Sequence, residues 1–187
     1  LEEDIKKAEK QPENMFQLFA YLLLYTGCRR GEALALTWDD IDFDNNLIYI
    51  NKQLQFQSNK PVIENFTKSK AGIRTVPMLE NLRAALLPFK KNSGYVFSVN
   101  RNLLTSKQFR DGWKSLGFSS TPHQFRHAYA TTLYNAKIDA KTAQSLLGHS
   151  SVSVTLDVYT HISKNVANSA KEQLNNYISQ SKISQKS

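Results

Sequence analysis

Met15 to Tyr25, with the sequence MFQLFAYLLLY, is the stretch that decides the fold. Its apolar residues lie on nearly every side of a helix rather than on one stripe, which indicates a helix buried all round. Thr26-Gly27 follows directly and is a helix stop signal, because glycine readily adopts the left-handed conformation that closes a helix. The stretch therefore predicts a fully buried helix in a mainly α domain.

The rest of the chain predicts further helices and a small antiparallel sheet. A short helix is expected from Arg29 to Leu36, and extended stretches within residues 46–77 predict a sheet of about three strands. Thr105, Thr121 and Ser163 occupy helix N-cap positions. The remaining helices are expected at about residues 79–89, 105–116, 122–136, 139–147 and 164–179.

Length and composition indicate one domain. The chain has 187 residues, and we expect the domain to span 1–178, with a disordered polar tail at 179–187. No apolar run approaches the roughly 20 residues that span a bilayer, and the acidic start is not a signal peptide. The single cysteine, Cys28, excludes an internal disulfide, so a cytoplasmic location is expected. Because residue 1 is not Met, we expect a fragment of a longer protein.

The charge is distributed unevenly. Residues 1–80 carry 10 Lys and Arg against 12 Asp and Glu, a net −2, whereas residues 81–187 carry 14 against 4, a net +10. A basic half of this size favours an anionic partner, most often nucleic acid, although a generally basic surface would give the same balance.

The segment TPHQFRH, residues 121–127, is the first candidate site. His123, Arg126 and His127 stand at i, i+3 and i+4 near a helix start, so they share one face where anions are favoured. Two histidines four residues apart are also a zinc spacing. Gln124 replaces the glutamate of a metalloprotease helix, and Arg126 would oppose a dication, so no metal is expected.

Two further segments contain candidate side chains. Arg29 follows Gly27 in YTGCRRGE and can present its planar fork to a phosphate, with Glu32 holding it in place. An exposed ion pair worth under about 1 kcal/mol is the alternative interpretation. In LGHSS, Gly148 ends a helix and leaves His149 on a turn, and Tyr159 follows ten residues later in a polar setting.

The last candidate segment is TKSKAGIRTVPM, residues 67–78, a basic turn rich in small residues. Taken alone, it is most simply a solvated hairpin tip. The alternating acids Asp40, Asp42 and Asp44 could suggest calcium, but Asn45 and Asn51 stand where an EF-hand loop needs Gly and Glu. No glycine-rich phosphate loop is present, so nothing indicates ATP use.

In their order along the chain, these segments resemble the catalytic domain of the tyrosine recombinases, the phage integrase family. The resemblance covers about residues 1–175. The family pattern of Arg, hairpin Lys, His-x-x-Arg, His or Trp, and Tyr matches Arg29, Lys68, His123, Arg126, His149 and Tyr159. Lys70 is the alternative to Lys68, and Phe125 stands where the family usually has Leu.

The resemblance implies site-specific DNA strand exchange through a covalent 3′-phosphotyrosyl intermediate, without metal or nucleotide. It implies that Tyr159 is the nucleophile, that Arg29, Arg126 and His149 bind the phosphate oxygens, and that Lys68 protonates the leaving group. Glu32 and His127 are expected to support the site, and Lys70 and Arg74 to contact DNA.

The resemblance also implies double-stranded DNA as the partner and a homotetramer on DNA, with the C-terminal helix exchanged between neighbouring subunits. DNA-binding domains would precede the residues present here, and the protein would act at the bacterial nucleoid as part of a phage or mobile element. The alternatives are a type IB topoisomerase and a DNA-binding module without catalysis. The Leu-Gly-His element and the presence of every catalytic residue favour the recombinase.

Overall fold

The computed structural model describes residues 1–66 and 72–184. The helices in this part of the chain are α1 Glu2–Ala8, α2 Met15–Thr26, α3 Arg30–Ala35, α4 Glu80–Leu86, α5 Ser106–Ser115, α6 Pro122–Asn135, α7 Ala140–Leu147 and α8 Val152–Ser184. The strands are β1 Ile41–Asp42, β2 Leu47–Ile50, β3 Lys52–Gln57, β4 Lys60–Asn65, β5 Arg74–Pro77, β6 Ser98–Val99 and β7 Asn102–Leu103. Single 3-10 turns occur at Trp38–Asp40 and Leu87–Phe89. The class is the predicted one, mainly α with small antiparallel sheets.

Helix α2 forms the centre of the main core, as its sequence predicted. Every residue from Leu18 to Leu24 is buried. The ring of Phe19 packs edge-on against the rings of Phe97, Phe109 and Trp113 at centroid distances of 5.0 to 6.2 Å. Such edge-to-face aromatic contacts add to the apolar burial that stabilises the core.

Helices α6, α7 and α8 enclose a second, smaller core. Its buried members include Tyr129 and Leu133 of α6 and Leu147 of α7, and Val158 and Tyr159 of α8 pack against them. Helix α6 also contributes to the main core, because Phe125 in its first turn is fully buried there. The residues around His123 and Arg126 therefore lie where the two cores meet.

The β region differs from the predicted single sheet. Strands β1, β2 and β5 form one antiparallel sheet, whereas β3 and β4 form a separate hairpin that turns at Ser58 and Asn59. The separation occurs at Asn51, whose carbonyl accepts from the Phe66 amide and whose side chain donates to Asp40. The first of these bonds continues the β3–β4 ladder by one residue, whereas β2 pairs with β5.

The predicted helix N-caps are confirmed at Thr105 and Thr121 and wrong at Ser163. Helix α8 runs without a break from Val152 to Ser184, so Ser163 lies inside it. Residues 179–184 of the expected disordered tail continue the helix, while residues 185–187 lie outside the described part. The polar sequence sustains one helix because no Pro or Gly interrupts it.

Helix α1 is joined to the start of α6 through a buried carboxylate. Asp4 accepts from the backbone amide of Ser120 at 2.8 Å and from the hydroxyl of Ser119 at 3.0 Å. The indole of Trp113 donates to the carbonyl of Ser120 at 3.0 Å. Hydrogen bonds from Ser120, partly opposed by burial, lower the pKa of Asp4. The residue before the Thr121 N-cap is therefore held from two sides.

Over residues 1–66 and 72–184, no helix is both long and apolar enough to cross a membrane.

The end of α2 makes a testable prediction at Gly27. Gly27 has φ +62°, and a Cβ placed there would lie 2.4 Å from a ring carbon of Tyr129. Gly27→Ala should lower the free energy of unfolding by about 2–4 kcal/mol, because overpacking adds to backbone strain. Gly117→Ala is the matched control, since Gly117 has φ +66° with open space around it. Urea unfolding should show a cost of about 1 kcal/mol there, and equal costs at both glycines would contradict the packing argument.

Candidate active site

Three arginines converge on the C-terminal end of α7. The last carbonyls of a helix have no partner within it and carry the negative end of its dipole. Three consecutive carbonyls here each accept from a different guanidinium. The bonds run from Arg74 Nε to the Leu146 oxygen at 2.8 Å, from Arg126 Nη2 to the Leu147 oxygen at 2.6 Å, and from Arg29 Nη2 to the Gly148 oxygen at 2.9 Å.

Gly148 allows this close approach. It closes α7 with φ +65°, and a Cβ at this position would lie 2.8 Å from Nη1 of Arg74. A larger residue would therefore be strained in its backbone and would push the guanidinium away from the helix end. The sequence analysis predicted the helix end at Gly148, but not the arginine packed against it.

Arg126 joins two helix ends while being almost completely buried. Besides the Leu147 carbonyl, its Nη1 donates to the carbonyl of Gly27, the C-cap of α2, at 2.6 Å. Burial and the positive charge of Arg29 lower the pKa of Arg126 to about 10, so it stays charged at neutral pH. Its guanidinium is therefore fixed by two backbone acceptors from separate helices.

Arg29 is the most exposed of the three arginines, with 43% of its side chain accessible. It precedes the first residue of α3, and its Nη1 donates to Oε1 of Glu32 at 2.8 Å. The expected Arg29–Glu32 pair is present, but it is not a surface pair, because the Glu32 side chain is fully buried. Although burial opposes it, bonding to Arg74 and Arg29 holds the pKa of Glu32 below its ordinary value.

Arg74 does not lie where the sequence analysis expected it. It was expected to contact DNA, but only 3% of its side chain is exposed. Its Nη1 and Nη2 donate to the two carboxylate oxygens of Glu32 at 3.0 and 2.7 Å. A basic turn in a sequence suggests a solvated surface, and nothing in that pattern indicates that its last arginine points inward.

His123 and His127 share one exposed face of α6, as their spacing predicted. Their rings contact each other edge-to-face at 4.5 Å. Partial burial, the nearby His123 and the charge of Arg126 lower the pKa of His127. Within the described residues, no three His, Cys, Asp or Glu side chains come together as possible metal ligands.

His149 lies beside the arginines on the turn after α7. Its Nδ1 is 2.9 Å from the hydroxyl of Thr155, which is fully buried. Partial burial, followed by the charges of Arg126 and Arg29, lowers the pKa of His149 to about 4. The ring is therefore neutral at pH 7. When the Thr155 hydroxyl donates to Nδ1, the ring proton lies on Nε2.

Thr155 is a site residue that sequence reasoning did not assign. Its position, four residues before Tyr159, carries no signal that separates it from other helical threonines. Only the fold brings its hydroxyl to the His149 ring.

Tyr159 lies near the start of α8, with its hydroxyl bonded away from the arginines. The hydroxyl donates to the carbonyl of Ile138 at 3.1 Å, and the ring packs edge-on against Tyr134. Partial burial and the charge of Asp139 raise its pKa. In the described part of the chain, no hydrogen bond joins Tyr159 to Arg29, Arg126 or His149. The hydroxyl of the predicted nucleophile is therefore bonded to a backbone carbonyl rather than to the arginines or His149.

The predicted lysines Lys68 and Lys70 lie outside the described residues. The nearest described strands are β4, which ends at Asn65, and β5, which begins at Arg74.

Comparison with known proteins supports the interpretation of this geometry. The model of the phage integrase family matches residues 2–166. A tyrosine recombinase XerC-like protein of Caldanaerobacter subterraneus subsp. tengcongensis is 31% identical over 206 residues, covering 93% of this chain and 53% of that protein. The transposase from transposon Tn916 of Enterococcus faecalis is 29% identical over 178 residues, covering 82% and 44%. The Tn1549 transposon integrase in complex with circular intermediate DNA has a TM-score of 0.70 at 24% identity, covering 92% of this chain and 65% of that one.

The chain belongs to the phage integrase family, as its motifs predicted, and has the fold of a tyrosine recombinase catalytic domain. It spans about half the length of the curated relatives it matches.

The low pKa of His149 makes a prediction about stability at acid pH. In the unfolded chain a histidine takes up a proton near pH 6.5, whereas folded His149 does so only near pH 4. Stability is therefore fully present above about pH 6.5 and decreases as the pH falls toward 4, because the unfolded state binds the proton more tightly. The melting temperature of His149→Gln should fall less over this range than that of the unchanged chain.

Near pH 8 histidine is neutral in both states, so the difference between the two melting temperatures should not vary with pH there. Identical pH slopes for both proteins between about pH 6.5 and 4 would contradict the assignment of the low pKa to His149.

Proposed function

We propose that this chain is the catalytic domain of a site-specific DNA recombinase that breaks and rejoins DNA strands for a mobile element. The observation that carries the proposal is the convergence of Arg29, Arg126 and His149 on one helix end, with Tyr159 on the helix that follows. The Tn916 transposase and the Tn1549 integrase, to which the chain is similar, support a mobile element as its source.

The chemistry follows from the charges at this helix end. Attack on a phosphodiester places negative charge on the nonbridging oxygens, and Arg29 and Arg126 would stabilise that charge more in the transition state than in the ground state. Neutral His149 would donate one further hydrogen bond from Nε2. Arginines would thus do the work that metal ions do in other phosphoryl-transfer enzymes, and the proposed reaction uses neither metal nor ATP.

The proposed cleavage step exchanges one phosphodiester bond for another. The Tyr159 oxygen forms a bond to phosphorus while the bond to the 5′ oxygen breaks. The tyrosine proton passes to an acceptor such as His123, and Lys68, with Lys70 as the alternative, protonates the 5′ oxygen. Attack by a 5′-hydroxyl reverses these steps and rejoins a strand, so no further energy source is needed.

Tyr159 has to change its hydrogen bond before it reacts. Its hydroxyl donates to Ile138 in this structure, and the nearby charge of Asp139 disfavours its ionisation. We infer that in the complex with DNA the hydroxyl leaves Ile138 and moves toward the guanidiniums, whose positive charge would favour the phenolate.

The proposed partner is double-stranded DNA, which the net +10 charge of residues 81–187 supports. We further propose a homotetramer on DNA, acting in the cytoplasm at the nucleoid, with the C-terminal part of α8 exchanged between subunits. Leu174 supports the exchange, because this apolar side chain is 62% exposed on the helix. DNA-binding domains elsewhere in a longer protein would complete the grip on the duplex.

Tyr159→Phe tests the proposed nucleophile. With a nicked suicide substrate, the unchanged chain should form a covalent protein–DNA adduct that survives denaturing electrophoresis, and Tyr159→Phe should form none while still binding DNA. Tyr134→Phe is the matched control, because it removes a hydroxyl from the ring that packs against Tyr159. An adduct that persists in Tyr159→Phe, or that is lost only in Tyr134→Phe, would refute the assignment.

A second assay separates recombination from the topoisomerase alternative. Strand exchange between two DNA sites should yield recombinant products, whereas a topoisomerase would relax supercoiled DNA that carries no paired site.

Deleting residues 163–187 tests the exchange of the C-terminal helix. Tyr159 remains in the truncated chain, so adduct formation on a single site should persist, while assembly of several subunits on a two-site DNA should be lost. Sedimentation of the DNA complexes measures this. Leu174→Asp provides a point variant that should weaken assembly in the same direction. Unchanged assembly in both variants would indicate that the helix packs on its own domain.

A further inference from the structure

Glu32 is a buried carboxylate shared between two arginines. Its Oε1 accepts from Arg29 Nη1 at 2.8 Å and from Arg74 Nη1 at 3.0 Å. Its Oε2 accepts from the Arg29 backbone amide at 2.7 Å and from Arg74 Nη2 at 2.7 Å. Both carboxylate oxygens therefore have hydrogen-bond donors, and the one negative charge of Glu32 lies between the two positive charges of Arg29 and Arg74.

We propose that Arg74 is a positioning residue that neutralises Glu32 and thereby keeps the guanidinium of Arg29 available for a DNA phosphate. This inference rests on the proposed function, since it assumes that Arg29 binds phosphate.

The argument begins with the cost of an unpaired buried charge. A carboxylate removed from water needs a charged partner, and losing that partner is strongly destabilising. Without Arg74, the charge of Glu32 would be balanced by Arg29 alone. Arg29 would then be held as a structural ion pair of zero net charge, and its attraction to a phosphate would be weakened.

The contacts of Arg74 exclude a direct role at the DNA surface in this structure. Each of its side-chain nitrogens has a protein acceptor, since Nε donates to Leu146 and the two terminal nitrogens donate to Glu32. Its side chain is 3% exposed, whereas that of Arg29 is 43% exposed. The two arginines that bind this carboxylate therefore have different roles. Buried Arg74 balances its charge, and exposed Arg29 keeps part of its guanidinium accessible to a phosphate.

Arg74 also positions the residues around it. It bonds the end of α7 through the Leu146 carbonyl and packs against Gly148, whose own carbonyl accepts from Arg29. The planar fork of arginine can make the paired contact to Glu32 and the contact to Leu146 together, which the single ammonium of lysine cannot.

A set of charge variants tests this inference in the full chain. Arg74→Gln should lower the single-turnover rate of adduct formation on saturating suicide substrate by at least about tenfold. The double variant Arg74→Gln with Glu32→Gln should recover about tenfold of that loss, because it also removes the negative charge that would otherwise hold Arg29 in an ion pair. Arg74→Lys, which keeps the charge, should lose less than Arg74→Gln.

Arg83→Gln is the control for the loss of one positive charge. Arg83 lies outside the cluster and donates to the carbonyl of Phe43. The rate of adduct formation by Arg83→Gln should therefore stay near that of the unchanged chain. The salt dependence of DNA binding gives a separate readout, because loss of a direct phosphate contact reduces the slope by about one unit.

Three results would overturn the proposal. A reduced salt slope in Arg74→Gln with no recovery in the double variant would mean that Arg74 contacts DNA itself. A lower melting temperature with an unchanged rate in the folded protein would mean a purely structural role. Equal losses in Arg74→Lys and Arg74→Gln would mean that charge balance is not what Arg74 supplies.

The melting temperatures of the unchanged chain, Arg74→Gln and the double variant separate this proposal from the proposed function. These measurements need no DNA. If Arg74 neutralises Glu32, the double variant should melt at a higher temperature than Arg74→Gln. If that recovery is present but no protein forms an adduct, the proposed function fails while the charge pairing holds. If adducts form but no recovery occurs, the proposed function holds and the role of Arg74 fails.

Discussion

The C-terminal end of α7 is the feature on which the candidate site depends. A helix end carries about half an elementary negative charge on carbonyls that have no partner in the helix. Three such carbonyls in succession hold three guanidiniums, which come from β5, from α6 and from the residue before α3. One helix end therefore fixes side chains from distant parts of the sequence, since Arg29 is 119 residues away from the Gly148 carbonyl that it bonds. The partial negative charge of these carbonyls offsets the repulsion among the three guanidiniums.

Glu32 completes the balance of charge around this helix end. Two of the three guanidiniums, those of Arg29 and Arg74, bind this one buried carboxylate, and Arg126 does not, so the three arginines and Glu32 together keep a net positive charge. Burial, followed by the charges of Arg126 and Arg29, lowers the pKa of His149 to about 4. If the Thr155 hydroxyl donates to Nδ1, this neutral imidazole beside fixed cations keeps its proton on Nε2, where it can donate to a phosphate oxygen.

The sequence predicted the features that local rules govern. The apolar stretch at Met15–Tyr25 became a buried helix, and Gly27 and Gly148 end helices in the left-handed conformation. His123 and His127 share an exposed face at the start of α6, as their spacing predicted, whereas Arg126, which was expected on the same face, is buried. Each of these outcomes depends on side-chain periodicity or on backbone freedom within a few residues, so each can be inferred without knowledge of the fold.

Other expectations were not met, and for the sheet and Arg74 the reason is contacts between distant segments. Ser163 is a good N-cap residue, but α8 begins at Val152 and runs through it. The expected single sheet is two sheets because β2 pairs with the distant β5, whereas β3 and β4 pair with each other in a local hairpin. Arg74 was expected to contact DNA, and its buried guanidinium is paired with a carboxylate 42 residues away.

The sequence by itself determined the family, the order of the candidate catalytic residues and the ends of most helices, since motif spacing and helix capping are local properties. Only the tertiary structure decided which arginine is buried and which is exposed, that Thr155 orients His149, and that the Tyr159 hydroxyl bonds to Ile138. The physical reason is that burial and hydrogen-bond partnership are set by distant segments, which pack around the end of α7 only once the two cores have formed.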